Sequence, residues 1–197
     1  TELFNNYKVS PVDDYTSQLY KCLSDASYSK DKKKTIVILS PGVFNSAYFE
    51  HAYLAQQMGI DLVESSDLSL SDDNYVYMKT ILGKKKIDVI YRRINDDYLD
   101  PNVWIKDSTL GLPGLINSWK EKKVAIVNAP GSGVADDKAV YAFVPKMIEF
   151  YLNETPKLAQ VKTYLCAFDT DKKYVLDNIK KLVLKPVNES GGYGILI

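Results

Sequence analysis

TIVILSPGVFNSAYFEHAYLAQQMG, residues 35–59, decides the fold class. Its first half, Ile36 to Leu39, is an apolar and mostly β-branched run closed by Pro41 and Gly42, the pattern of a strand buried on both faces that ends in a loop. Its second half runs as helix through AYFEHAYLAQQM and stops at Gly59, a residue suited to the positive φ of a helix C-terminus. A buried strand followed by a helix is the unit of parallel sheets, because the chain must cross back over a sheet face before adding the next parallel strand.

Outward from this unit the pattern recurs. DLVE (61–64) reads as a second strand, and LSLSDDNYVYMKT (68–80) as a hairpin turning on Ser71 to Asn74. KIDVIYRRI (86–94) returns to the core as a strand. After a loop around Asp100 and Pro101, PGLINSWKEKK (113–123) is a short helix, and VAIVNAP (124–130) is again a strand closed by proline. Upstream, Tyr15, Leu19, Cys22, Leu23 and Ala26 fall at helical spacing within residues 13–29. The lysine clusters at 30–34 and 84–86 are expected in solvated turns. This alternation predicts an α/β fold, a mostly parallel sheet flanked by helices, with ligands bound beyond the carboxyl ends of the strands. The expected divisions are a helical segment at 1–30, the α/β domain at 31–152, and from 153 to 197 the start of a smaller α+β lobe. In that lobe VKTYLC (161–166) and KLVLKPV (181–187) read as strands around a short helix in KKYVLDNI.

The chain has 197 residues and 46% hydrophobic content, enough for one core or one core with a small lobe. Its 25 basic and 25 acidic residues balance, so no net field draws it to nucleic acid or an anionic membrane, and an anionic ligand must be held locally. Cys22 and Cys166 form neither a disulfide scaffold nor a C-x-x-C site. No apolar run approaches the roughly 18 to 20 residues of a membrane span, and the opening TELFNNYKVS is no signal peptide. A soluble cytoplasmic protein is therefore expected. The ending KLVLKPVNESGGYGILI stops with a strand just beginning after a glycine turn, so a truncated or partial chain is expected as well.

Four segments carry residue types suited to chemistry. KPVNESGGYGI delivers Lys185 from a strand and then Gly191, Gly192 and Gly194, which admit positive φ and let backbone N–H groups approach an anion. An ordinary hairpin turn with a solvent-facing lysine has the same spacing. NAPGSGVADDKAVYAFVP ends a strand in a Gly-Ser-Gly loop before a helix starting near Asp136, whose first-turn amides and Lys138 could meet an anion. Capping by Asp136 or Asp137 is the alternative. SPGVFNSAYFEH carries Asn45, Ser46, Glu50 and His51 where a parallel sheet would read a substrate, though a lone histidine can equally be structural. In YRRINDDYLDP, Arg92 and Arg93 leave a strand in opposite directions, so only one of them can readily face a given carboxylate or phosphate; a salt bridge from either to Asp96 or Asp97 is the alternative. The Gly131 and Gly133 loop is a poor dinucleotide fingerprint, because Asp136 stands where the third glycine should be. No P-loop pattern and no H-E-x-x-H occur.

In their order along the chain, SPGVFNSAYFEHAYLA, IDVIYRRINDDYLDP, NAPGSGVADDKAVYAFVP, VKTYLC and LVLKPVNESGGYGI resemble the circularly permuted ATP-grasp proteins labelled glutathionylspermidine synthase-like. The resemblance runs from about Thr35 to the end. It implies a Rossmann-like pre-ATP-grasp domain followed by the start of an ATP-grasp lobe. It also implies an ATP- and Mg²⁺-dependent ligase that converts a carboxylate to an acylphosphate and passes it to an amine, with small-molecule or peptide substrates. Lys138 and Lys185 match the two ATP-binding lysines of the superfamily, and Gly191, Gly192 and Gly194 its phosphate loop. Asn45, Ser46, Glu50, His51, Arg92 and Arg93 fall at positions for substrate contact. The resemblance assigns no catalytic side chain here, and the Mg²⁺ ligands are expected beyond residue 197, so these residues alone are expected to be inactive. A non-catalytic nucleotide-binding or scaffolding module of the same fold is the alternative.

Overall fold

The computed structural model describes Tyr7, residues 9–189 and residues 191–197. They form two compact units, Thr1–Pro130 and Gly131–Ile197.

The first unit is built on a four-stranded parallel sheet of order β2-β1-β6-β7, with β1 at Ile36–Leu39, β2 at Asp61–Val63, β6 at Val89–Arg92 and β7 at Ala125–Val127. All four residues of β1 are buried, as its apolar run requires. Because side chains alternate across a strand, this run feeds two cores. On one face Ile36 and Ile38, with Val89, Tyr91 and Ala125, pack against Leu23 of helix α1 (Tyr15–Asp25) and Leu54 and Ala55 of helix α2 (Tyr48–Met58). On the other, Val37, Leu39, Ile90 and Ile126 pack with Leu99, Leu112, Leu115 and Ile116. Helix α2 ends, as its sequence predicts, with Gly59 at φ 64°. The expected α/β architecture with a parallel sheet is the one observed.

A second sheet, β3-β4-β5, is antiparallel. Strands β3 (Leu68–Leu70) and β4 (Val76–Thr80) form the expected hairpin, in which Asn74 takes φ 61°. Strand β5 (Gly83–Lys86) corrects the expectation of a lysine-rich turn. Its lysines lie on an edge strand, with Lys79 directly opposite Lys84, Lys86 4.8 Å above the Tyr75 ring and Lys85 3.5 Å from Asp61. The long aliphatic stems lie along the strand while the charged ends reach water or a partner, and such charges keep an exposed edge from pairing with other chains.

The crossing from β6 to β7 contains two short helices, α3 (Asp96–Leu99) and α4 (Leu115–Lys120), tied by one carboxylate. Asp100 is 1% exposed; its Oδ1 accepts the backbone N–H groups of Asn102 (2.9 Å) and Gly114 (3.0 Å), and its Oδ2 accepts that of Ile116 (2.9 Å). The chain also closes tightly at Gly111, where a Cβ would stand 2.1 Å from the Leu99 carbonyl oxygen.

The second unit holds a 3₁₀ turn (Ser132–Asp136), helix α5 (Lys138–Leu152) and helix α6 (Asp169–Asp177). Its division from the first unit falls after Pro130, whereas the boundary read from the sequence falls after residue 152. The start of α5 is tied within the second unit, the Lys138 N–H donating to the Val187 carbonyl at 3.0 Å. Two expected strands are absent. Residues 161–166 pair with no strand; Leu165 instead donates its N–H to Asp171, and Tyr164 stacks on Tyr174 with ring centres 4.5 Å apart. Residues 181–187 make a single bridge, Leu184 to Leu196. β-branched composition favours a strand only where a neighbouring strand receives its N–H and C=O groups, and here the ladder stops at one pair.

Replacing Asp100 by Ala removes the acceptor of three backbone donors, that of Ile116 in the interior, and should destabilise the first unit by about 3 kcal/mol. Asp100→Asn, which keeps an acceptor at one oxygen, should cost about half as much. Equilibrium urea unfolding measures both.

Candidate functional site

Two places collect the side chains singled out by the sequence, one in each unit. In the first, β1 delivers Ser40 to the carboxyl end of the parallel sheet, next to β6, where the strand order reverses. Ser40 Oγ lies 3.0 Å from His51 Nδ1 and accepts the Gly42 N–H at 3.2 Å. Gly42 is at φ 97°, and a Cβ there would press against the Glu64 carboxylate at 3.1 Å. His51 is fully buried. That burial lowers its pKa below the ordinary histidine value, the Arg93 charge adds to the effect, and Glu50 opposes it. The fold thus favours the neutral imidazole over the charged one.

The two arginines separate as strand alternation requires. Arg92, its side chain 8% exposed, donates from Nε to the Asn128 carbonyl (2.7 Å), from NH1 to that of Ile94 (2.8 Å) and from NH2 to that of Ala129 (3.2 Å), and pairs with Asp96 at 2.8 Å. Burial lowers its pKa and Asp96 raises it. This guanidinium fastens the turn after β7 to the end of β6 and is fully engaged in doing so. Arg93 turns the other way. It pairs with Glu50, donates to the Tyr91 hydroxyl at 3.1 Å and lies over the Tyr91 ring. Glu50 remains half exposed. The structure therefore brings Glu50, His51 and Arg93 together. Asn45 and Ser46 lie in the exposed turn before α2, with Asn45 Oδ1 accepting the Ala47 N–H at 2.9 Å. Sequence reasoning missed Ser40 and Glu64, although both stand where β1 and β2 end.

In the second unit a cavity of about 270 Å³ is lined by Lys138, Lys185, Gly191 and Gly192, with Asp136 and Glu189 beside them. The loop takes its shape from glycine: Gly191, Gly192 and Gly194 have φ of 62°, 84° and 67°. A Cβ on Gly194 would meet Pro186 Cγ at 2.7 Å, whereas one on Gly192 would point into open space. Lys138 Nζ donates to the Glu189 carbonyl, which ties the start of α5 to the loop. The first-turn amides of α5 do not serve the cavity, because the Asp137 carboxylate accepts from Ala139 (2.7 Å) and Val140 (3.3 Å). Two lysines and a glycine turn can hold an anion, and two acidic residues, Asp136 and Glu189, among those lining the cavity oppose one that carries no cation of its own. Among the described residues no group of three or more His, Cys, Asp or Glu is placed to hold a metal ion, and no helix is long and apolar enough to cross a membrane.

A family model described as a circularly permuted ATP-grasp matches residues 1–197. An uncharacterised protein of Synechocystis is 50% identical over 196 residues, covering 100% of this chain and 40% of that protein. An uncharacterised protein of Mycobacterium tuberculosis is 51% identical over 194 residues, 98% of this chain and 35% of its own length. A Frankia casuarinae protein named "Putative glutamate--cysteine ligase 2-2" is 43% identical over 162 residues, 82% of this chain and 19% of its own. The chain thus spans well under half the length of these relatives.

Two outcomes test the geometry. Arg92→Ala leaves Asp96 and three carbonyls without their cation and should destabilise the first unit by about 3 to 5 kcal/mol, whereas Arg93→Ala, whose partner is half exposed, should cost about 1 kcal/mol or less. Chemical denaturation of the two variants decides. For His51, the folded pKa lies below the unfolded value of about 6.5, so the unfolded chain takes up a proton that the fold refuses. Stability should be full above about pH 6.5 and fall as the pH drops toward the folded pKa, and in His51→Asn the part of this pH dependence due to the ring should vanish.

Proposed function

Because the chain belongs to the circularly permuted ATP-grasp family, we propose that it is part of an ATP-dependent carboxylate–amine ligase whose nucleotide phosphates enter the cavity of the second unit. One observation carries this reading: Lys138 and Lys185, far apart in the sequence, line a single cavity with Gly191 and Gly192. The residues fit a polyphosphate, since the lysines supply point charges and the glycines at positive φ let amide groups approach. Mg²⁺ travelling with ATP would offset the repulsion from Asp136 and Glu189. Its ligands are proposed to lie outside residues 1–197.

In the proposed reaction a substrate carboxylate oxygen attacks the γ-phosphorus of ATP while the β–γ bridging P–O bond breaks and ADP leaves. The amine nitrogen then attacks the acyl carbon and loses a proton as phosphate departs, giving an amide. The relative named as a glutamate–cysteine ligase supports amino-acid or peptide substrates. The sheet end is proposed as their contact. There Arg93 would hold a carboxylate, Glu50 an ammonium group, and the exposed Asn45 and Ser46 would add hydrogen bonds, with His51 positioning the turn.

The test uses a polypeptide of the relatives' full length. Incubation with Mg-ATP, acid and amine should release ADP and phosphate; release of AMP and pyrophosphate would contradict the acylphosphate route. Lys185→Ala removes one charge-assisted contact and should weaken ATP binding by about 10- to 150-fold in calorimetry while adenosine binding is unchanged. Unaltered ATP binding would remove the phosphates from this cavity.

A further inference from the structure

The hairpin of β4 and β5 ends in a turn that runs against the usual chemistry of turns. Thr80 pairs with Gly83 across it, which leaves Ile81 and Leu82 as the two residues of the tip. Both stand fully in water, where hairpin turns otherwise favour asparagine, aspartate and glycine. Hydrogen bonds hold the tip in this form: Thr80 Oγ1 donates to the Gly83 carbonyl at 2.7 Å and accepts the Leu82 N–H at 3.1 Å, while Gly83 takes φ 111°.

Behind the tip comes a collar of charge. KTILGKKK, residues 79–86, holds four lysines and no acidic residue. Strand alternation puts Lys79 and Lys84, directly opposite each other, on one face of the hairpin and Lys85 on the other. Part of this charge is engaged: Lys79 Nζ donates to the Ser66 carbonyl at 2.6 Å, Lys85 lies 3.5 Å from Asp61, and Lys86 lies 3.4 Å from Asp88. The Lys85–Asp61 pair is half exposed and therefore weak. A carbonyl neutralises none of the charge on Lys79, and Lys84 has no acidic partner among the described residues. Like charges facing each other across a ladder oppose the pairing, and an anionic surface at the tip would relieve them.

Protection of a sheet edge explains the lysines but not the two aliphatic side chains, which work against it. Nucleic acid is bound through aromatic side chains that stack on bases, and Ile81 and Leu82 cannot stack. A stable protein partner needs about 800 Å² from each side, far more than a two-residue tip presents. A bilayer asks only that apolar side chains project beyond a ring of cations, the aliphatic groups entering the acyl boundary while the ammonium groups stay among the headgroups. We infer that the β4–β5 hairpin is a membrane-contact element that enters an anionic lipid surface end-on, Ile81 and Leu82 first, with Lys79, Lys84 and Lys85 against the headgroup phosphates. The balance of charge over the whole chain does not oppose this, because at physiological salt an exposed tip feels charges only within about 8 Å.

Vesicle sedimentation tests the inference and needs no nucleotide. The chain should bind vesicles of equal parts phosphatidylglycerol and phosphatidylcholine at least about tenfold more tightly than vesicles of phosphatidylcholine alone, and less tightly as salt rises. Ile81→Ser combined with Leu82→Ser should lower that affinity about tenfold or more. Lys79→Gln combined with Lys84→Gln should lower it about 30-fold, at roughly fivefold per lysine. The urea unfolding midpoints of both variants should match the parent, which separates lost binding from lost fold. In Leu82→Trp the added indole emission should shift to the blue on the anionic vesicles. No sedimentation with anionic vesicles, equal binding to the two kinds of vesicle, or binding that neither pair of substitutions weakens would overturn the inference. So would tighter binding of a single-stranded RNA oligomer than of anionic vesicles, lost with the two lysines and kept without the two aliphatic residues, which would make the partner a nucleic acid.

Discussion

The parallel pairing of β1 with β6 is the constraint on which the first unit depends. Val37 faces Ile90 and Leu39 faces Arg92 across this pair, and both strands are covered on their two faces by apolar side chains. A sheet so covered leaves its polar chemistry nowhere to go but the strand ends. Ser40, Arg92 and Arg93 stand there because β1 and β6 end together, and the Arg93 N–H still donates to the Leu39 carbonyl at 2.8 Å after the strand has closed.

Polar groups in this unit are handled in two ways. Where a charge is buried it organises backbone: Asp100 collects three N–H groups, that of Ile116 buried with it, and Arg92 gathers the carbonyls of Ile94, Asn128 and Ala129 at the end of the sheet. Where a charge is half exposed, as in the Glu50–Arg93 pair, it fastens less and stays open to exchange one partner for another. His51 connects the two regimes: its ring is buried, feels both charges of the exposed pair, and braces the turn through Ser40.

Much of this was legible in residues 35–59, where one apolar run and one capped helix predict a buried parallel strand and its crossover. The alternation of Arg92 and Arg93 was legible for the same reason, since side-chain direction follows from strand period alone. The partner of each was not, because Asn128 and Ala129 lie far along the chain and meet Arg92 only through the register of β6 with β7. Asp100 read as a loop residue because its three partners are backbone groups, which carry no sequence signal. The lysines of β5 read as a turn because charge density outweighs the weak strand signal of an edge. The strands expected at 161–166 and 181–187 failed for a different reason: composition records what a segment can pair with, and the described residues supply one pair.

The second unit gathers Lys138, Lys185 and the glycine loop around one cavity although they come from different elements, and Lys138 ties the start of α5 to the loop through the Glu189 carbonyl. Lysine labelling by an acylphosphate derivative of ATP, which transfers its acyl group to amines beside the bound phosphates, addresses that cavity directly in a polypeptide of the relatives' length. The account predicts that Lys138 and Lys185 are acylated and that excess ATP protects both. Labelling confined to other lysines, with these two unmodified, would contradict it.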